Sequence, residues 1–193
     1  MNQTKATVAE GFPRQVKLGG ETLTLRLMRP DDRDAVLRFA RALPADDLLF
    51  LRTDITDPAV VDEWVENLRR WRTRTVLAEP EGAGIAGYGS LHFNDANWTR
   101  HVGEIRLQVA PAFRGKGLGR QLAGAVFELA RQLSLSKILA RMTPDQQGAR
   151  ATFARLGFRE EAVLQDWVID RGGRTRDMLI MTLNLGSQVE RAG

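Results

Sequence analysis

The sequence predicts a single-domain α/β protein built on one sheet that is largely antiparallel at its start. Three observations predict this. Apolar residues alternate with polar ones in several short runs, the period of a half-buried strand. Between those runs, apolar residues recur at spacings of three and four, the period of an amphipathic helix. Late in the chain a basic, glycine-rich bend joins a strand to the longest such helix, and another strand follows. The 193 residues, 43% hydrophobic and 27% charged, suit one globular domain that buries its own core.

Composition also narrows the chemistry. There is no cysteine, which removes disulfides, acyl-cysteine intermediates and zinc–thiolate sites together. Two histidines argue against a multi-histidine metal centre, so no metal is expected. No run reaches the roughly 18 apolar residues of a membrane span, and Met1 to Glu10 shows no apolar signal segment. A cytoplasmic protein without membrane contact is expected. The net charge of +4 is modest, and basic residues do not interleave with aromatics, so nucleic acid is not an expected partner.

In order along the chain, residues 1–14 read as a loose, flexible tail. Residues 15–18 and 21–28 flank Gly19-Gly20 as a hairpin, with Leu23, Leu25 and Leu27 on one face. Pro30 and Asp31-Asp32 open a helix carrying Ala35, Val36, Phe39 and Leu43, and Pro44 stops it. Asp57-Pro58 opens a second helix, whose stripe runs from Val61 through Trp64 and Leu68 to Trp71. Strands follow at residues 75–79, 85–93 and 102–109. A four-turn helix starts at Leu118, and residues 137–142 form a strand. Thr143-Pro144-Asp145-Gln146 has the form of a capping box for a helix that ends at Gly157. A terminal hairpin closes around residues 170–173, and 185–193 read as a C-terminal tail.

The informative segment is Arg114-Gly115-Lys116-Gly117-Leu118-Gly119-Arg120. Its glycines let the backbone turn tightly and bring amides close to a bound group. The helix that follows has orphan N–H groups and a positive dipole end, and three cations add formal charge. Together these describe a phosphate site. An ATP-type P-loop is excluded, because Gly115-Lys116 is followed by Gly117 rather than a hydroxyl residue. A dinucleotide fingerprint finds Gly115 and Gly117 but meets Arg120 where its third glycine belongs.

One pattern fits at every position. Gln/Arg-x-x-Gly-x-Gly/Ala is met by residues 114–119, and Phe153-Ala154-Arg155-Leu156-Gly157-Phe158 follows one strand and one helix later. In these motifs the chain resembles the GNAT superfamily of N-acetyltransferases, over roughly residues 21–184. The resemblance implies a mixed, mostly antiparallel sheet splayed at a central bulge, with helices on both faces, and a GNAT domain over 15–184. It implies acetyl-CoA as co-substrate. The 114–119 loop, with Arg120 beside it, would hold the pyrophosphate. The strand Leu107, Gln108 and Val109 would pair with the pantetheine arm and offer an N–H to the oxyanion.

Acyl transfer to an amine needs a group to take the amine's proton. The resemblance points to Glu104, on the strand that feeds the loop; Arg106, two residues on, is a competing ion-pair partner on the same face. Members of the superfamily often carry a tyrosine where this chain has Phe153, and an asparagine where it has Gln146. Both positions are assigned to the cofactor site. Phe153 has no proton to give; Tyr88, the only phenol, is the candidate substitute acid, and packing in the sheet is the other reading of it. His92 and His101 flank the 94–100 loop; a base acting through water is one reading of them and local hydrogen bonding the other.

The acceptor is expected against residues 44–57. There Asp46, Asp47 and Asp54 would attract a cation, and Leu48, Leu49, Phe50 and Leu51 would give an apolar wall; turn and cap chemistry is the other reading of the aspartates, and core packing that of the apolar residues. The reading is an acetyl-CoA-dependent N-acetyltransferase that acts on a primary amine in a ternary complex. A non-catalytic acyl-CoA sensor and a nicotinamide-dependent oxidoreductase are the alternatives. Oligomeric state stays open, a homodimer included.

Overall fold

A computed structural model describes residues 10–48, 53–94, 98–170 and 173–186. Among them eight strands form one sheet. These are β1 (Arg14–Leu18), β2 (Glu21–Leu27), β3 (Thr73–Pro80), β4 (Gly87–His92), β5 (Val102–Val109), β6 (Lys137–Met142), β7 (Arg159–Ile169) and β8 (Thr175–Asn184). The helices are α1 (Arg33–Arg41), α2 (Pro58–Arg69), α3 (Leu118–Gln132) and α4 (Gln147–Arg155), with a single helical turn at Ala45–Leu48.

The strand order is β1-β2-β3-β4-β5-β6-β8-β7. All neighbours are antiparallel except β5 and β6, which α3 connects as a crossover. The last strand, β8, inserts between β6 and β7. A nicotinamide-binding fold needs a largely parallel sheet, and one parallel pair does not supply it.

The two faces of the sheet have separate cores. On one, Leu122, Val126 and Leu129 of α3 pack against Leu23, Leu25, Val76 and Ile105. On the other, α1 and α2 bring Val36, Phe39, Trp64 and Leu68 onto Leu77 and Tyr88. Asp57 caps α2, its carboxylate accepting from Ala59 N at 2.9 Å, as its place before Pro58 predicts.

α3 lies so close to β4 that no side chain fits between them. A Cβ on Gly89 would stand 2.9 Å from Val126 Cγ2 and 3.1 Å from the Leu122 carbonyl. Gly89→Ala is therefore expected to cost about 1–3 kcal/mol, as overpacking does, and to lower the thermal midpoint by several degrees. An unchanged midpoint would mean that α3 sits further out.

β5 and β6 pair over three residues only, ending at Glu104 opposite Leu139, while β5 runs on to Val109. The sheet is thus splayed where the sequence reading places it. No bulge makes the opening, however: β4 and β5 stay in register from Gly87–Val109 to His92–Glu104. The strands diverge, and the recorded shifts between β7 and β8 fall at Glu160/Ala162 and Leu164/Val168. A second correction concerns α4. It begins at Gln147, after a turn in which Gln146 N donates to Thr143 O at 3.1 Å. Half of the expected capping box forms, with Gln146 Oε1 accepting from Thr143 N at 3.0 Å. The Thr143 hydroxyl makes no hydrogen bond. Trp71, expected on the α2 stripe, lies beyond the helix with φ +59°.

Candidate active site

The phosphate loop stands at the C-terminal end of β5. Its foot is fixed by Ala110 N donating to Ala86 O at 2.8 Å. Phe113 N and Arg114 N then close a 3₁₀ turn onto Ala110 O and Pro111 O. Gly115 and Gly117 take φ of +73° and +93°, a region costly for other residues. Next, α3 begins, and the Arg120 and Gln121 amides turn back to Gly117 O. Among the described residues, no protein oxygen accepts from the amides of residues 115–119. Residues 114–117 are exposed, so the Gly115, Lys116 and Gly117 amides border solvent, with those of the buried Leu118 and half-buried Gly119 behind them at the positive end of a four-turn helix.

The space beside them is also open. A Cβ on Gly115 would meet nothing within 4 Å, and one on Gly119 only Val109 Cγ2 at 3.9 Å. Packing within the protein does not require glycine at 119. The space in front of those amides is left free.

The loop's cations divide their work. Arg114 Nε donates to Val109 O at 3.0 Å, and its Nη2 pairs with Asp47. It ties the loop to β5 and to the 45–48 turn. Lys116 leans toward Glu21, with Nζ at 3.8 Å, and over the Phe113 ring. Arg120 is exposed and, among the described residues, has no ion pair.

Beside the loop runs the open edge of β5. Backbone hydrogen bonds alternate in an antiparallel pair, and the Ala110–Ala86 bond sets their phase. The backbone groups of Gln108, Arg106 and Glu104 therefore turn to β4, and those of Leu107 and Val109 toward the side that β6 has left. The side chains of Leu107 and Val109 pack toward α3. Gln108 stands on the opposite face, across from Tyr88.

Glu104 shares that opposite face with Arg106 and lies between two guanidiniums. Arg106 Nε donates to its Oε1 at 3.3 Å, and Arg141 Nε is 3.8 Å from its Oε2. Its side chain is only 13% exposed, against 38% for Arg141. The competing partner foreseen for Glu104 is real, and a second one, Arg141, comes from β6.

Tyr88 is buried, edge-on to Trp64 at 4.9 Å and to Phe39 at 6.0 Å. Burial pushes its phenol up to about 12, opposed weakly by Arg106. A thiol titrates near 8.5, so a phenol of this kind offers a hydrogen bond more readily than a proton. A raised pKa adds stability that is complete below pH 10 and is lost as pH climbs through 12. Tyr88→Phe is accordingly expected to flatten the fall in unfolding free energy between pH 10 and pH 12, read by denaturant titration. An identical fall in the variant would show that the phenol is not buried.

His92 ends a polar chain across the sheet. The Trp64 indole donates to Thr75 Oγ1 at 3.1 Å, which meets Ser90 Oγ at 2.9 Å. Ser90 Oγ reaches His92 Nε2 at 3.1 Å, and Thr73 Oγ1 lies 3.0 Å from Nδ1. Whichever way the hydroxyl hydrogens point, both ring nitrogens have a local hydroxyl within hydrogen-bond distance. The His101 carbonyl accepts from Ser136 and Lys137 and so anchors the start of β6. Phe153 is buried, edge-on to Phe158 at 5.0 Å.

Of the expected acceptor wall, residues 49–52 lie outside the described residues. Asp54 accepts from Thr56 N and Oγ1, and Asp47 holds Arg114. Near them a cavity of about 270 Å³ separates Phe39 of α1 and Leu43 just beyond it from Ala110 and Pro111. No group of three potential metal ligands occurs among the described residues, and none of their helices is long and apolar enough to cross a membrane.

The sequence profile of the Acetyltransferase (GNAT) family matches residues 38–158, from α1 through the loop to the end of α4. The chain belongs to that family. Among curated proteins, this GNAT chain is 29% identical over 116 residues to the L-amino acid N-acyltransferase MnaT of Escherichia coli (strain K12), covering 60% of this chain and 67% of that one. It is 28% identical over 90 residues to the thialysine N-epsilon-acetyltransferase of Sus scrofa, covering 46% of this chain and 53% of that relative, about half its length. Among solved structures, yncA of Salmonella typhimurium with its cofactor acetyl-CoA superposes with a TM-score of 0.73 at 22% identity, over 89% of this chain and 98% of that one. The ribosomal-protein-alanine N-acetyltransferase of Brucella melitensis gives 0.71 at 27% identity, over 83% and 98%.

Proposed function

We propose that this GNAT acetyltransferase carries an acetyl group from acetyl-CoA directly to a primary amine. The observation that carries the reading is the row of amides at 115–119 without a protein acceptor among the described residues, beside the edge of β5 that β6 leaves beyond Glu104. The amides and Arg120 hold the diphosphate. The Leu107 and Val109 backbone takes the pantetheine arm as an added strand, with an N–H there for the oxygen of the tetrahedral intermediate. The amine nitrogen attacks the thioester carbon; the C–N bond forms, the C–S bond breaks and the thiolate departs. Glu104 takes the amine's proton, and Tyr88 donates a hydrogen bond without giving up its own. Gln146, which keeps its amide nitrogen for donation, and Phe153 line the cofactor side from α4.

Arg106 and Arg141 flank Glu104 on the open face at distances longer than a tight ion pair. They suit an acceptor that carries a carboxylate near its amine. The amino-acid acceptors in the names of two relatives support that class. The reading places the protein in the cytoplasm and leaves a homodimer to be tested. The deciding experiment measures acetyl-CoA affinity by calorimetry and thiol release across a panel of amines with and without carboxylates. Binding with amine-dependent release is expected. Tight binding with no release for any amine would favour the sensor, the alternative that Phe153 keeps open. Absence of binding would end the proposal.

A further inference from the structure

A larger cavity opens at the other end of the sheet. It encloses about 530 Å³ between the N-terminal strands and the end of α2. Its wall includes Arg74, which pairs with Leu91 near the far end of β4, whereas the phosphate loop springs from the end where Ala86 meets Ala110. Phe12, Met28 and Trp71 give it an aromatic and apolar lining, and Arg29, Arg69 and Arg74 bring cations to it.

Arg74 is the unusual member. It is half-buried, and its guanidinium lies 3.3 Å from the centroid of the Trp71 ring. Its Nη1 donates to the Leu68 and Thr73 carbonyls at 2.9 and 2.7 Å. No carboxylate pairs with it among the described residues, and burial alone pushes its pKa down to about 10. Arg26, on the same wall, shows the contrast, since Asp32 and Glu79 both grip it in bidentate fashion. The ring and the two carbonyls offset only part of the cost of a half-buried cation without a counter-charge, and among the described residues Nε and Nη2 of Arg74 keep a donor pair suited to a planar oxyanion. Trp71, which presents the ring, holds a left-handed backbone that only glycine adopts freely.

We propose that this cavity binds a small organic anion, a carboxylate on a flat apolar body, with Arg74 as its charge partner. The carboxylate meets the outer edge of the guanidinium, and the body lies against Phe12, Met28 and Trp71. The site is separate from the acyl-transfer machinery and does not depend on it.

The probe is 2-naphthoate, titrated calorimetrically into the full chain, with 2-naphthamide and inorganic phosphate as comparison ligands, each with and without excess CoA. Saturable naphthoate binding is expected, at least tenfold tighter than either comparison ligand and unaffected by CoA. Arg74→Gln should weaken it tenfold or more. Because Arg74 also holds the end of α2, Arg29→Gln on the exposed rim serves as a second variant, expected to weaken binding several-fold with an unchanged circular dichroism spectrum. Absence of saturable naphthoate binding, equal affinity for the amide or for phosphate, displacement by CoA, or unchanged affinity in folded Arg74→Gln and Arg29→Gln would each overturn the proposal.

Discussion

Gly119→Glu is expected to leave the fold as stable as before, or more so, and to abolish tight CoA binding. Position 119 lies in the first turn of α3, at an ordinary φ, with room for a Cβ. Replacing glycine there gains about 0.5–1 kcal/mol of helix propensity, and an acid near a helix N-terminus adds roughly 0.3–1 kcal/mol. The same side chain occupies the space in front of the amides and opposes the diphosphate's charge. Losing two charge-assisted hydrogen bonds costs about 3 kcal/mol, on the order of a hundredfold in affinity. Calorimetry with CoA and thermal unfolding on the same sample read the two effects separately. A raised midpoint together with unchanged CoA affinity would show that the ligand does not lie against this turn.

Glu104→Gln is expected to lower kcat by 10²–10⁴ at neutral pH, roughly the contribution of a general base, and to leave CoA affinity unchanged. Activity should recover in part at high pH, where more of the amine is already neutral. The position of Glu104 between Arg106 and Arg141 makes a purely structural carboxylate the rival account. That account predicts a lowered thermal midpoint and no recovery with pH, because two guanidiniums would lose their shared partner whatever the state of the amine. A flat rate–pH profile beside a drop in stability would remove Glu104 as the base.

Both tests begin from residues that the sequence singles out, but their neighbours come from the fold. The strand over 102–109 and the strand over 137–142 are legible because alternation, glycine and helix starts are local signals. The start of α4 is misread because Thr143 and Pro144 carry a local capping signal. The chain answers it with a turn, and α4 begins at Gln147. The stripe that seems to carry Trp71 on α2 fails similarly, since residue spacing does not reveal that the backbone reverses hand there. Gly89 gives no signal at all until α3 is seen lying against it.

By itself the sequence determined the order of helices and strands, the tight glycine-rich turn over residues 114–119 with its cations, and the absence of any cysteine chemistry. These follow from periodicity, backbone freedom and residue type, which are properties of short segments. Only the tertiary structure decided that Arg114 braces the loop through Asp47 while Arg120 finds no ion-pair partner among the described residues, that Arg141 reaches Glu104 from a neighbouring strand, and that β8 slides between β6 and β7. Those are contacts between residues distant in the chain. Which partner a charge or a strand edge finds depends on where the folded backbone places them, and no local pattern encodes that distance.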